Sequence, residues 1–342
     1  MQRVLIIGPD FYHYNTSLKD AFEVMGMTAR IVSYDERLIK DVLLRNYYRL
    51  LRLAGKDAER IYEDRLNLKI LETYRAFKPE LVLVIKGTRI DRETLEAMNG
   101  SRLVLWMMDS ILRIPQAMKN VDVFDAVFLF EKDDVEALAQ RGITGHYLPL
   151  GYDESIYHPL EKETGLKEKD IDITFVGDIY EAREVLLERL IQDFKGRRLR
   201  FYGRYLGLDR PKRFIPYLFK GRRRIFMNRE VSPDEVNRIY QRSRIVLNMH
   251  HDQNRYSCNP RTFEILGSGA LQVVDRKDFL VENLADGLVM YKDYEELRKK
   301  IEKILKDPSR YEGIRKKGQE RAVESHTFKA RVERILEVLG KS

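Results

Sequence analysis

The chain has 342 residues, of which 44% are hydrophobic and 34% charged, the make-up expected of a folded, soluble globular protein. Its 62 Lys and Arg against 54 Asp and Glu give a formal net charge of +8, so an acidic partner is expected: a nucleotide, a phospholipid surface or nucleic acid. A single cysteine, Cys258, excludes an internal disulfide framework and a multi-cysteine zinc site and points to the cytosol, and no uncharged apolar run approaches the roughly 20 residues of a membrane span.

At about 150 residues per domain the length predicts two domains. The opening Met1–Gly8 is too short in its apolar part for a signal peptide and predicts a first strand, Val4–Ile7. A loop through Asp10, Phe11, Tyr12, His13 and Asn15 follows. A helix is expected from about Thr16, its possible cap, to Met25, and then a strand at Ala29–Tyr34. This βαβ opening predicts a parallel sheet with right-handed crossovers, but without G-x-G-x-x-G it lacks the dinucleotide fingerprint. Leu38–Phe77 is long, charged and helix-rich, with Gly55 as a break. Strands are predicted at Leu81–Ile85, at Leu103–Met107 before Asp109, and at Ala126–Phe130. A helix should run from Asp133 to Ala139, and Tyr147–Gly151 reads as a last short strand leaving the domain.

Glu161–Asp170 is charged and aperiodic, as expected of a linker. A second alternating series follows: strand Ile173–Val176, Gly177, helix Ala182–Asp193, strand Leu199–Tyr202 and Gly203. Ser232, Pro233 and Glu235 form a capping box, and the next strand is Ile245–Met249. Asn259–Asp275 then reads as a helix capped by Asn259 with Pro260 in its first turn, closed by Gly267 and Gly269, and a buried strand Leu271–Val274. The remainder is expected to be helical: Asp293–Leu305 behind a D-x-x-E cap, Ser309–Glu324 and Thr327–Leu339. The two series predict Rossmann-like domains in tandem, 1–155 and 165–325, with the terminal helix 326–342 packing back on the first. Ligands of open parallel sheets bind at the carboxyl ends of strands, so facing domains would hold the active cleft between them.

Several side chains are candidates for chemistry. Arg261 and Glu264 lie one turn apart at a helix start, where free N–H groups and the helix dipole favour an anion: Arg261, Thr262 and the backbone from Asn259 for phosphate, Glu264 for hydroxyls. The plain alternative is a surface ion pair worth at most about 1 kcal/mol. Gly177, with Asp178 after it and Arg183 early in the next helix, is a second potential phosphate site. Asp10 and His13 in the first loop can handle a proton near neutral pH, although a lone loop histidine is more often structural. Asp109, at a strand end beside Trp106, is a reasonable cleft carboxylate. His250-His251-Asp252 does not read as a metal site, because adjacent residues on a strand point to opposite sides. Asp170-Ile171-Asp172 is a D-x-D at the wrong end of its strand for Mg²⁺ or Mn²⁺. Cys258 has no base beside it. The basic stretches Lys195–Arg229 and Arg37–Arg60 carry leucines and aromatics, which fits peripheral contact with an anionic membrane or simply a solvated basic face.

Asn259–Asp275 resembles the signature of group 1 glycosyltransferases, most closely the CgeB-like (spore maturation protein) branch with its R-x-F-E-x-L-x-x-G before a strand. Tyr147-Leu148-Pro149-Leu150-Gly151 through Tyr157-His158-Pro159 looks like the crossing segment of these enzymes. Phe175-Val176-Gly177 with Arg183 looks like the start of their nucleotide-binding domain, and Trp106…Asp109 resembles their amino-terminal W-x-x-D. The resemblance implies the GT-B fold and transfer of a sugar from a nucleotide-diphosphate sugar, the co-substrate, to an acceptor that the sequence does not identify. In that family Glu264 would bond the ribose hydroxyls, Arg183 would meet the diphosphate, Asn259–Thr262 would approach donor sugar and phosphate, and Asp109 would face the transferred sugar. Arg, Lys and helix dipoles would stabilise the leaving group without a metal or other cofactor. Retention of configuration is the family's usual outcome. Here Tyr256 replaces the glutamate found eight residues before the ribose-binding one, so His250, Asn254 or Asp109 would have to make its contacts. The other readings are a nucleotide-sugar epimerase on the same scaffold and a non-catalytic structural or surface-layer protein. A nucleic-acid binder has no module signature to support it.

Overall fold

A computed structural model describes residues 2–10, 13–35, 42–160, 164–207, 210–251 and 254–340. Expectations resting on Phe11, Tyr12, residues 37–41, residues 161–163 or Asp252 therefore lie outside the described residues. The chain divides into two compact units, Met1–Leu150 with Phe328–Ser342, and Gly151–Thr327.

The first unit runs β1 (Arg3–Pro9), α1 (Tyr14–Val24), β2 (Thr28–Tyr34), α2 (Val42–Leu53), α3 (Ala58–Phe77), β3 (Leu81–Ile85), α4 (Arg92–Glu96), β4 (Arg102–Trp106), α5 (Pro115–Lys119), β5 (Ala126–Leu129), α6 (Lys132–Ala139) and β6 (Gly145–Tyr147). The six strands form one parallel sheet in the order β2-β1-β3-β4-β5-β6, with Ile6 level with Ile31 on one side and Leu83 on the other. Its inner strands β1, β3, β4 and β5 read as apolar runs because both faces are covered, whereas the edge strands β2 and β6 do not. Val4, Ile6, Leu83, Val104, Trp106 and Phe128 point to one core, while Leu5, Ile7, Val82, Val84, Leu105 and Val127 point to the other. The first core is closed by α1 and by Phe328, Val332 and Ile335 of the terminal helix, which returns to this unit, and Arg331 fastens that helix by donating twice to the Leu150 carbonyl.

The second unit runs β7 (Ile171–Val176), α7 (Glu181–Asp193), β8 (Leu199–Tyr202), α8 (Phe214–Phe219), α9 (Pro233–Gln241), β9 (Ser243–Asn248), α10 (Arg261–Gly267), β10 (Gln272–Asp275), α11 (Asp278–Asn283), β11 (Val289–Tyr291), α12 (Tyr294–Lys306) and α13 (Glu312–Ser325), after which α14 (Phe328–Gly340) belongs to the first unit. Its five strands are also parallel, in the order β11-β10-β9-β7-β8.

Several sequence expectations are corrected. Residues 148–151 are not a strand: the last strand of the first sheet is β6, three residues earlier, and Leu148 and Leu150 instead pack into the core beneath α14. The stretch after Asp275 is not wholly helical, because Val289–Tyr291 adds an edge strand to the second sheet. It is too short, and too close to the charged Lys292-Asp293, for alternation to show. Helix α1 also starts two residues before Thr16. Asn15 sits inside its first turn, where its amide donates to the carbonyls of Gly8 and Pro9 and ties the loop back. The expected caps of α9 and α12 form through Ser232 and Asp293, each accepting from the backbone N–H three residues on. Glu235, however, pairs with Arg229 instead of closing the box. Among the described residues no helix is long and apolar enough to cross a membrane.

Candidate functional site

Each sheet has one place where the strand order reverses: between β1 and β3 in the first unit, and between β7 and β9 in the second. At such a point the connections leave to opposite faces and open a crevice at the carboxyl ends of the strands. The residues singled out from the sequence fall largely at these two edges.

In the second unit β7 ends at Gly177, whose φ of 154° lies where side-chain-bearing residues rarely go. A methyl group placed there would stand 3.3 Å from an Nη of Arg261 and 3.6 Å from an Nη of Arg183. Two guanidinium groups from different helices thus converge over the bare backbone at the strand end. Arg261 reaches across from the start of α10 to donate to the Val176 carbonyl. Arg183, in the first turn of α7, donates to the carbonyls of Asp178 at 3.0 Å and Met249 at 2.6 Å and lies over the Tyr180 ring at 4.5 Å. Burial, with Arg261 nearby, pulls the Arg183 pKa below its ordinary value. Two cations held this close, one of them desolvated, favour an anion between them. The Nε of Arg183 is buried and has no hydrogen-bond partner among the described residues.

Beside them His250 and His251 point opposite ways. His250 is buried, whereas the exposed His251 meets the Tyr180 ring. His250 donates its backbone N–H, and its Nδ1, to the same carboxylate oxygen of Asp275 at 2.9 Å. Its other ring nitrogen, Nε2, is buried and has no hydrogen-bond partner among the described residues. Burial pushes the Asp275 carboxyl up, but the His250 bonds and Lys277 outweigh it and hold it below the usual carboxylate range.

Helix α10 is fixed from beneath. His326 stacks on Phe263 at 4.4 Å, and Gly267 lets the buried Tyr152 ring lie against the helix, where a methyl group would come within 2.2 Å of it. The helix begins at Arg261, so Pro260 and not Asn259 holds the N-cap position, but Asn259 still reaches the first turn, its Oδ1 accepting from Thr262 N at 3.1 Å, and Asn248 at the end of β9 ties Asn259 and Thr262 together. This corrects the expectation of free amides at that start. Thr262 N is taken by Asn259, Phe263 N and Glu264 N by the Pro260 carbonyl. The anion-binding groups that stand out there are side chains. Glu264 is 6% exposed, which places it in the interior rather than in a surface pair. Near it the buried Tyr240 hydroxyl, its pKa raised first by burial and also by Glu264, has no hydrogen-bond partner among the described residues.

Tyr256 does not enter this cluster. Its hydroxyl donates to Glu282 and its ring meets Phe279, so it fastens α11. Asn254 is buried, its N–H on the His251 carbonyl, and Cys258 is fully buried. Both D-x-D carboxylates serve the fold, Asp170 on Arg242 and Asp172 on Arg244 and Arg198. Among the described residues no group of three or more His, Cys, Asp or Glu is placed to hold a metal.

In the first unit His13 caps α1 in a left-handed conformation, φ 62°, just past β1, and is exposed. Asp10, also exposed, precedes it. Asp109 lies beyond β4 and pairs with Lys86 at 2.8 Å. Lys86 was not anticipated. It follows β3, is 8% exposed and has φ 63°, so two of the four non-glycine residues with positive φ among the described residues, His13 and Lys86, stand beyond the ends of the strands flanking the reversal. The sequence hint was the pair Lys86-Gly87 closing an apolar strand. The carboxylate of Asp275 was read only as a strand terminus, although the reasoning applied to Asp109 fits it equally.

Comparisons with known proteins bear on this arrangement. A family model described as "Glycosyl transferase-like" matches residues 183–337. That segment, somewhat less than half of the chain, is similar to the glycosyltransferase-like family. It begins at Arg183 and contains Arg261 and Glu264. The two-domain architecture is the GT-B fold, and solved structures share it over the full chain. The Anabaena protein HepE in complex with UDP superposes with a TM-score of 0.64 at 12% identity, covering 100% of both chains. Sucrose-phosphate synthase from Thermosynechococcus elongatus gives 0.65 at 10% identity, covering 100% of this chain and 99% of that one. The α,α-trehalose 6-phosphate synthase from Burkholderia multivorans gives 0.66 at 13%, with 100% and 99% covered. At such identities these are likenesses of fold. No curated protein sequence matches the chain significantly.

Proposed function

We propose that this glycosyltransferase-like protein moves a sugar from a nucleoside diphosphate sugar to an acceptor hydroxyl or amine, with retention of configuration and without a metal. The observation that carries this reading is the convergence of Arg183 and Arg261 over Gly177, at the strand-order reversal of the second sheet. A diphosphate has the charge and size to bridge two guanidinium groups, each able to give paired N–H donors to phosphate oxygens. As the bond from the sugar to the diphosphate breaks, negative charge grows on the leaving oxygen, and fixed cations stabilise it more than they stabilise the bound donor. They supply the charge that a divalent ion would otherwise bring.

The other roles follow from placement. Glu264, one turn along α10, is assigned to the ribose hydroxyls, which donate to a carboxylate. The buried, unpartnered Nε2 of His250 is assigned to a donor-sugar hydroxyl, in place of the glutamate that Tyr256 has replaced. Asn259 and Thr262 act by fixing the start of α10. In the first unit Asp109, His13 and the neighbouring Lys86 are assigned to the acceptor side, where a carboxylate or imidazole can take the acceptor proton. HepE is described as solved with UDP, with UDP and glucose, and with UDP-glucose, which makes a uridine donor the first to try. The single buried thiol of Cys258 fits a reducing, cytoplasmic setting.

The test is a thermal-shift and calorimetric screen of UDP, GDP, ADP and CMP and their sugars against the parent and Glu264→Ala. One diphosphate should bind the parent, and the variant should lose about 10- to 150-fold in affinity, the value of a charge-assisted hydrogen bond. Absence of binding by every nucleotide sinks the reading in favour of a non-catalytic protein. Conversion of the sugar while still attached to the nucleotide, with no acceptor added, identifies an epimerase instead.

A further inference from the structure

The basic segment Lys195–Arg229 does not behave uniformly once folded. Some of its arginines are internal ties. Arg213 pairs with Glu184 and donates to the carbonyls of Ile179 and Tyr205, and Arg222 pairs with Glu188. These two pairs clamp α8 and the turn after it onto α7 from both sides, and Tyr217 on the inner face of α8 meets Tyr205 at 6.0 Å. The outer face is the unusual one. Ile215, Leu218 and Phe219 are 65%, 52% and 80% exposed, and Phe214 stands beside them. A helix that anchors a tyrosine inward and shows three large apolar side chains outward is inverted relative to an ordinary surface helix. Around this face Lys212, Lys220, Arg223 and Arg224 are exposed, and no salt bridge among the described residues engages them.

We propose that this face, α8 with the turn Lys220–Arg224, docks the protein on an anionic lipid bilayer. The apolar side chains would enter the boundary between headgroups and acyl chains, and the surrounding cations would meet lipid phosphates. The charge is complementary to such a surface, and two acids of α7 beside the patch, Glu184 and Glu188, are already paired with Arg213 and Arg222. Ile215 and Leu218 have nothing to offer a nucleic-acid backbone, which argues for lipid over RNA. The proposal does not rest on the transferase reading.

The test uses the full chain in co-sedimentation with vesicles of phosphatidylcholine and phosphatidylglycerol in equal parts, and with phosphatidylcholine alone. The parent should sediment with the anionic vesicles, release as salt is raised, and ignore the neutral ones. Lys220→Glu/Arg223→Glu/Arg224→Glu and, separately, Leu218→Ser/Phe219→Ser should each weaken binding about tenfold or more. All these positions are exposed, and an unchanged melting temperature and nucleotide response will show that each variant is folded and that its donor site is intact. Equal binding to neutral vesicles, parent-like binding by either variant, or no vesicle binding at all overturns the proposal. So does an RNA gel shift lost only in the charge variant, or a parent dimer that Leu218→Ser/Phe219→Ser makes monomeric without any vesicle binding by the parent.

Discussion

Arg183 and Arg261, 78 residues apart in the chain, bring their guanidinium groups to the same strand-end glycine, Gly177. Like charges drawn together and partly desolvated raise the free energy of the empty site. An anion that binds between them relieves that repulsion. Arg183→Ala is expected to lower affinity for a nucleoside diphosphate about 10- to 150-fold while leaving the free nucleoside nearly unaffected. Arg183→Lys keeps a charge but not the planar fork and should recover only part of the loss. Calorimetry with UDP and uridine side by side checks this, and equal losses for both would show that Arg183 does not read phosphate.

Glu264 is buried at the next turn of the same helix. Glu264→Gln keeps the shape and removes the charge, so it should weaken binding of a ribonucleoside diphosphate by roughly tenfold or more. The same substitution should matter little for the 2′,3′-dideoxy analogue, which has no ribose hydroxyl to offer. A parallel loss for both nucleotides assigns Glu264 to the scaffold of α10 instead.

How much of this was legible in the sequence differs by kind of feature. The parallel sheets were, because strands covered on both faces are written as short apolar runs such as Leu81–Ile85 and Ala126–Leu129, and their connections as capped helices. Strand β11 was not, since three residues beside charged neighbours carry no period. Glu264, Arg183 and Arg261 could be named from their places at helix starts, but where their side chains go could not. Arg261 ends on the Val176 carbonyl, a contact 85 residues distant that no local pattern encodes. Local reasoning at α10 also overvalued free amides, because it could not see that Asn248 positions Asn259 and Thr262. Lys86 was hidden for a related reason. Its positive φ comes from the turn that the β3 edge must make, and a lysine gives no sign of such a backbone.

Gly203 tests the packing under the anion site. Its φ is 135°, and a methyl group there would sit 2.0 Å from the Gly177 carbonyl oxygen, a backbone atom that cannot step aside. Gly203→Ala should therefore destabilise the protein by at least about 2 kcal/mol, combining overpacking with an unfavourable backbone conformation. Whatever folds should bind nucleotide more weakly, since the strand end carrying Gly177 is displaced. Denaturant unfolding measures the first effect. Gly196→Ala, also at positive φ but with open space around its Cβ, is the control, and it should cost clearly less.

The pair His250–Asp275 makes a pH prediction whose direction is fixed by the depressed carboxylate. Because Asp275 has a lower pKa in the folded protein than its ordinary 3.8, the folded state binds the proton less readily than the unfolded chain does. Its contribution to stability is therefore complete above the unfolded value and is lost as pH falls from about 4 through the folded pKa. Asp275→Ala removes the acceptor of both His250 donors and should cost about 1–3 kcal/mol at neutral pH. Unfolding curves of parent and variant should differ by that constant amount from pH 7 down to about 5 and then converge below about 4. A gap that stays constant to pH 2 would mean that Asp275 contributes by packing and not as the charged partner of His250, and the assignment of the His250 ring to a donor-sugar hydroxyl would lose its support.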